Sequence, residues 1–146
     1  MSARRTLSGE SIHATTVAID SRAVLITGPS GSGKSDLALR LLDRGFILVS
    51  DDQTLVRREG DRLLASPPLQ IAGKLEVRGI GIVEMETVSD IPVALLVELT
   101  SDIPRLPDDS RELSILGICV PLVTIDAMTA SAPSKVALAL DRFGLK

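Results

Sequence analysis

Ala23-Val24-Leu25-Ile26-Thr27-Gly28-Pro29-Ser30-Gly31-Ser32-Gly33-Lys34-Ser35-Asp36-Leu37-Ala38-Leu39 decides the fold. The apolar run 23–26 reads as a buried strand, 28–33 as a glycine-rich turn, and Asp36 to Leu42 as an amphipathic helix. Residues 28–35 match GxxxxGK[ST] completely, and the flanking strand and helix are the context that a phosphate-binding loop requires. Glycines at 28, 31 and 33 allow backbone amides to approach phosphate oxygens, with Pro29, Ser30 and Ser32 completing the loop. The positive end of the following helix dipole favours an anion there. Lys34 is placed to neutralise β- and γ-phosphate charge, and the Ser35 hydroxyl to help hold Mg²⁺. A ligand-free Gly/Ser turn is the alternative, but it needs neither the lysine nor the hydroxyl.

The totals narrow the class around this motif. The chain has 146 residues, 45 % of them apolar, with two Phe and neither Trp nor Tyr. One domain spanning 1–146 is expected, with residues 1–10 loose and a core of Leu, Ile, Val and Ala. A net charge of -3, without a Lys/Arg cluster interleaved with aromatics, argues against a nucleic-acid partner. No apolar run approaches membrane-spanning length and no signal-peptide core opens the chain, so a soluble, cytoplasmic protein without a membrane partner is expected. The single Cys119 lies in the apolar run 115–120 and is expected to be a buried packing residue. With one histidine there is no Cys/His metal set.

Moving outward from the loop, its helix is expected to end near Asp43, where Arg44-Gly45 supplies a basic residue and a glycine stop. Phe46-Ile47-Leu48-Val49 reads as a strand buried on both faces beside the loop strand, ending at Ser50-Asp51-Asp52. Ligands sit at that end of an open α/β sheet. One of the two carboxylates is placed to take a proton from an attacking hydroxyl while the other works through Mg²⁺; a solvated Asp-Asp turn is the alternative. Upstream, Ser11 to Ile19 reads as one β-branched strand and Asp20-Ser21 as a tight turn into the loop strand. His13 on that strand either reaches the phosphate site or packs at a sheet edge.

Downstream, 53–58 and 62–65 form a hairpin around Gly60-Asp61. Within Leu75-Glu76-Val77-Arg78-Gly79-Ile80-Gly81-Ile82-Val83-Glu84-Met85, Glu76 and Arg78 share a face if the segment is extended, either serving metal and phosphate or forming a surface ion pair. Residues 91–99 read as a buried strand, 101–111 as a polar connection, and 112–125 as two short strands divided at Pro121. A helix over 135–142 is capped by Ser131 or Ser134. The fold class is α/β with few helices.

Taken together, His13, the loop at 28–35, Val49-Ser50-Asp51-Asp52 and the string 75–82 resemble the catalytic domain of bacterial HPr kinase/phosphorylase over about residues 11–126. The string 75–82 is the more specific signature. The resemblance implies a mixed sheet similar to that of phosphoenolpyruvate carboxykinase, ATP and Mg²⁺ as cofactors, and transfer of phosphate to a serine of HPr, the small carrier of the sugar phosphotransferase system. In many members the reverse phosphorolysis also occurs, and a homo-oligomer is expected. Carried over, Lys34 binds the phosphates, Ser35 and Glu76 hold Mg²⁺, and Asp51, adjoining Asp52, is the base. His13 is its catalytic neighbour, and Arg78 belongs to the string used in both directions.

Three departures accompany the resemblance. The match starts almost at the first residue, implying a short form without the amino-terminal domain, and the chain stops soon after the 135–142 helix, where relatives carry elements that engage HPr. The proline- and arginine-rich loop used for dephosphorylation aligns only with Ala132-Pro133-Ser134-Lys135, so the kinase direction is the expected one. Another acceptor, protein or small molecule, and a non-catalytic ATP-binding regulator are the alternatives. An intact Asp51, Glu76 and Arg78 speaks against the regulator.

Overall fold

A computed structural model describes residues 9–106 and 111–146. Strands β1 (Gly9–Ile12), β2 (Thr15–Ile19) and β3 (Arg22–Thr27) lead to helix α1 (Lys34–Leu42). Next come β4 (Ile47–Ser50), the hairpin β5 (Thr54–Glu59) and β6 (Arg62–Ser66), and the hairpin β7 (Lys74–Val77) and β8 (Gly81–Glu84). The long β9 (Ile91–Leu99), the pair β10 (Glu112–Ile115) and β11 (Ile118–Ile125), and helix α2 (Ala132–Phe143) complete the chain. This is a mixed α/β architecture, and none of its described helices is long and apolar enough to cross a membrane.

One path through the sheet runs β1-β5-β6-β9-β3-β2-β4, with β11 also pairing with β9. β3 lies parallel to β9 and β9 parallel to β11, while β2 is antiparallel to both β3 and β4. The carboxyl ends of β3, β4, β9 and β11 therefore share one edge of the sheet. β4 does not lie beside the loop strand as expected: β2 is inserted between them. The turn at Asp20-Ser21, with φ of 52° and 59°, returns β2 directly along β3 and so takes the adjacent position.

Alternation along β3 divides the core. Val24 and Ile26 face one layer with Leu37 and Leu41 of α1 and Val136 and Leu140 of α2. Ala23 and Leu25 face the other, where Val56 and Leu63 of the curled β5–β6 hairpin pack with Leu96, Ile115 and Val120. Each such Leu or Val side chain taken fully from water contributes about 1.5–3 kcal/mol, so aliphatic residues suffice without large aromatics.

Several boundaries depart from the sequence expectations. Residues 1–8 fall outside the described chain, whereas Gly9 and Glu10 belong to β1 and pair with Arg57 and Val56. The expected single strand 11–19 breaks at His13-Ala14, because β1 pairs with β5 and β2 with β3. β11 runs through Pro121: its pairing with β9 begins only at Leu122, so the missing N–H meets no partner there. The break falls instead at Leu116-Gly117, whose φ values of 51° and 85° make a two-residue hairpin turn. That hairpin leaves Cys119 exposed opposite Ser114 rather than buried, with Glu112 beside it holding the thiol above its usual range. α2 starts three residues earlier than expected, with Ser131 at the N-cap position but making no side-chain cap bond.

Candidate active site

The turn after β3 is closed by a hydrogen bond from Ser32 N–H to Pro29 O at 3.1 Å, and the first helical bond runs from Leu37 N–H to Gly33 O at 2.9 Å. Gly33 occupies the N-cap position with φ 97°, a left-handed value that a side chain would strain. Gly28 is required by crowding, since a Cβ there would stand 2.7 Å from Ser32 Oγ and 3.2 Å from Leu99 Cβ. No side chain caps α1, which leaves its first-turn amides to what the loop encloses. Lys34 is buried, and its ammonium donates to Gly28 O at 2.9 Å and Pro29 O at 3.2 Å, seated inside the loop.

The next residue ties the loop to β4. Ser35 Oγ donates to Asp51 Oδ1 at 2.6 Å, and the fully buried Thr15 donates to the same oxygen at 3.1 Å. Asp51 Oδ2 accepts the Glu76 N–H at 3.0 Å. Asp51 is thus buried with both carboxylate oxygens engaged. Asp52 is different: its N–H donates to Thr15 Oγ1 at 3.1 Å and its φ is 67°, a left-handed turn that throws its side chain outward. There Asp52 Oδ1 lies 2.7 Å from His13 Nε2, with the two side chains 65 % and 49 % exposed. An ionised carboxylate only accepts, so the histidine carries its proton on Nε2. His13 reaches this point because it stands at the break between β1 and β2, not within a strand.

Leu75, fully buried in the helical layer, fixes the depth of β7 and leaves the Glu76 side chain exposed at the mouth of the site. Arg78 does not share an extended face with Glu76. It begins the turn of the β7–β8 hairpin, closed by Ile80 N–H donating to Val77 O at 3.0 Å, and is exposed. Glycine at 79 and 81, with φ of 87° and 116°, makes that turn possible. Among the described residues, no group of three or more His, Cys, Asp or Glu side chains is gathered as a metal cage.

A profile of the HPr Serine kinase C-terminal domain matches residues 5–139. The chain belongs to that family. HPr kinase/phosphorylase of Chlorobium limicola is 37 % identical over 127 residues, 77 % of this chain and 38 % of the relative's own length. The corresponding figures for Exiguobacterium are 39 % over 127 residues, 78 % of this chain and 41 % of the relative. The chain therefore spans about two fifths of those relatives. The structure of the HPr(Ser) kinase/phosphatase from Coxiella burnetii matches with a TM-score of 0.80 and 32 % identity, over 90 % of this chain and 88 % of that chain.

Against the HPr kinase pattern, the fold brings His13, Lys34, Ser35, Asp51, Asp52 and Glu76 to one edge of the sheet, and carries Arg78 to the tip of a hairpin. Two participants escaped the sequence reading. Thr15 binds both aspartates at once, and its only advance signal is a polar residue in an apolar strand. Arg40 reaches from α1 to Ala127 O at 2.6 Å and Thr129 O at 3.3 Å, with Asp36 3.2 Å from its Nε, and fastens the segment after β11 over the glycine loop. Ala132–Lys135, aligned with the dephosphorylation loop, forms the first turn of α2 with Ala132 and Pro133 buried.

Proposed function

We propose that this chain is the phosphoryl-transfer domain of an HPr serine kinase, moving the γ-phosphoryl group of ATP to a serine hydroxyl of HPr or an HPr-like carrier. The observation that carries the reading is the bond from Ser35 Oγ to Asp51 Oδ1, which couples the loop at 28–35 to the Asp51-Asp52 corner. In this reading residues 28–35 enclose the phosphates, and Lys34 exchanges its bonds with loop carbonyls for bonds to phosphate oxygens. Ser35 spends its hydroxyl proton on Asp51, so its lone pairs remain for a cation, and Glu76, whose side chain is exposed, is tied to the same aspartate through its backbone N–H. One hydroxyl and one carboxylate suit Mg²⁺, which keeps waters and phosphate oxygens as its other ligands and, when bound, offsets charge on the transferring group.

The two aspartates divide the work. The resemblance put the base at Asp51, but that carboxylate accepts from Thr15, Ser35 and Glu76 and serves to hold the loop. Asp52 is the base: His13 holds Oδ1 through Nε2–H, and Oδ2 takes the proton of the attacking hydroxyl. The serine oxygen bonds to the γ-phosphorus as the bond to the β,γ-bridging oxygen breaks, and its electron pair leaves with ADP. Alignment and charge neutralisation supply most of the acceleration.

The kinase direction is the one the chain is equipped for, since Lys135 is the only cation in the stretch aligned with the dephosphorylation loop, and an ammonium does not replace a guanidinium fork. Incubation with HPr and Mg-ATP followed by intact-mass measurement tests the reading. Addition of one phosphoryl group, absent with a serine-to-alanine HPr, is expected; an unchanged mass at full nucleotide occupancy would remove HPr as acceptor.

A further inference from the structure

On the helical face of the sheet, α2 packs over β9 and β11, and β10 accompanies β11 only as far as Pro121. From Leu122 to Ile125 no other strand among the described residues lies outside β11, so the space beside α2 stays open. A cavity of about 250 Å³ occupies it. Its floor is Val123 and Ile125 of β11 with Ala139 of α2, whose side chain stops at Cβ and leaves the gap unfilled. Leu138 and Phe143 add apolar surface from the helix, and Ile103 adds it from the segment after β9. A small, mostly apolar cavity of this size stands near the lower end of small-molecule sites. None of residues 28–35 lines it, so it is separate from the glycine loop.

The rim carries charge of one sign. Lys135, Leu138, Ala139 and Arg142 follow the spacing i, i+3, i+4, i+7 and share one face of α2, with a cation at each end, about 10 Å apart along the helix. Leu138 stands 68 % exposed between them. Arg105 and Arg111 add two more cations from the connection between β9 and β10. Among the described residues no carboxylate lines the cavity, and of the four cations only Arg111 has an acidic partner, Glu98 at 3.4 Å. The guanidinium carbon of Arg142 lies 5.6 Å from the centre of the Phe143 ring, which positions the group without using its N–H donors. Like charges beside an apolar wall repel one another and focus their field on the gap between them. The group that relieves both the bare hydrocarbon and the unbalanced charge has an apolar tail and an anionic head. One turn of a partner helix about 10 Å across already exceeds the volume of the cavity, whereas a hydrocarbon chain fits it.

We infer that the groove between α2 and β11 binds a small amphipathic anion, in its simplest form a medium-chain carboxylate, with the tail on Ala139 and Ile125 and the head among the cations that lack an acidic partner. Calorimetric titration of the whole chain with octanoate, hexanoate and the uncharged octanamide tests it. Octanoate is expected to bind about tenfold more tightly than hexanoate, the worth of two methylenes taken from water. It is also expected to bind at least about tenfold more tightly than octanamide, the size of one hydrogen bond between charged groups. The combined substitutions Arg105→Gln, Lys135→Gln and Arg142→Gln should lower octanoate affinity to that of octanamide. Ala139→Leu fills the floor and should abolish binding of both; the triple variant alters only exposed side chains and decides the matter alone should Ala139→Leu fail to fold. Octanamide binding as tightly as octanoate, octanoate affinity that survives the triple variant, or no binding at millimolar octanoate overturns the inference. So does an oligomer, seen by sedimentation, that Leu138→Ser dissociates, since the groove would then belong to a second copy of the chain.

Discussion

Two layers of polar residues meet at the carboxyl end of β4, and they are built in opposite ways. In the inner layer Thr15, Ser35 and Asp51 are withdrawn from solvent and bond to one another across three chain segments. In the outer layer His13, Asp52, Glu76 and Arg78 are exposed, and the one contact among their side chains is His13 with Asp52. Burial without partners is expensive, so the inner groups are held in position by the bonds they make to one another. Exposure keeps the outer groups free to exchange water for substrate. The pair Asp51-Asp52 straddles the boundary, which is how neighbouring identical residues acquire different tasks.

The largest effect that sharpens this contrast is on catalysis. Asp52→Asn should lower phosphate transfer by about 10²–10⁴-fold, the usual contribution of a positioned base. Its nucleotide affinity and melting temperature should stay near those of the parent, read by calorimetry and thermal unfolding. Asp51→Asn should instead weaken Mg-ATP binding and destabilise the fold by about 1–3 kcal/mol, because an amide cannot accept from Thr15, Ser35 and the Glu76 N–H at once. Should Asp51→Asn bind nucleotide normally and only fail to transfer, the assignment of the two layers would be inverted.

Thr15→Val tests the inner layer without touching a charge. The hydroxyl both donates to Asp51 Oδ1 and accepts from the Asp52 N–H, so its replacement by a methyl of similar shape strands the Asp52 N–H and leaves Asp51 Oδ1 with Ser35 alone. A loss of about 1–3 kcal/mol in denaturant unfolding is expected, accompanied by weaker Mg-ATP binding as Asp51 loosens. His13→Ala should do the reverse. An exposed polar contact of this kind is worth about 0–1 kcal/mol, so stability should barely move, while the turnover rate falls and nucleotide affinity holds. A melting temperature that drops as far for His13→Ala as for Thr15→Val would erase the distinction between layers.

Much of this arrangement was legible in the chain, and the reasons for the rest are specific. The loop at 28–35, the turn at 20–21 and the hairpin at 54–66 are local: the residues that make each turn lie within it. The layers themselves are not local. That β2 lies between β3 and β4, placing Thr15 against Asp51, depends on pairing choices the apolar pattern leaves open. Arg40 finds its carbonyls 87 and 89 residues away, a contact for which no spacing rule exists. The turn at Arg78 was signalled by Gly79 and Gly81, but the same glycines also permit close approach in an extended strand. Leu116 was the least legible, since a leucine at positive φ is an unlikely turn residue and only the pairing of β10 with β11 demands it.

The smallest expected effect supplies a gauge for the outer layer, from a place far from the site in sequence. Cys119 is exposed, and its thiol is held above its usual range first by the charge of Glu112, then by a hydrogen bond to it, then by slight desolvation. A raised pKa means a smaller thiolate fraction at neutral pH, and the thiolate is the reactive form. Glu112→Gln removes the charge, so the pKa falls and alkylation by iodoacetamide at neutral pH should speed up modestly, by less than about tenfold. The rate should rise with added salt in the parent and hardly at all in the variant, because an exposed charge is screened. The same salt series applied to the phosphate-transfer rate then distinguishes the layers once more: the His13–Asp52 contact lies open to screening, whereas the bonds around Asp51 do not.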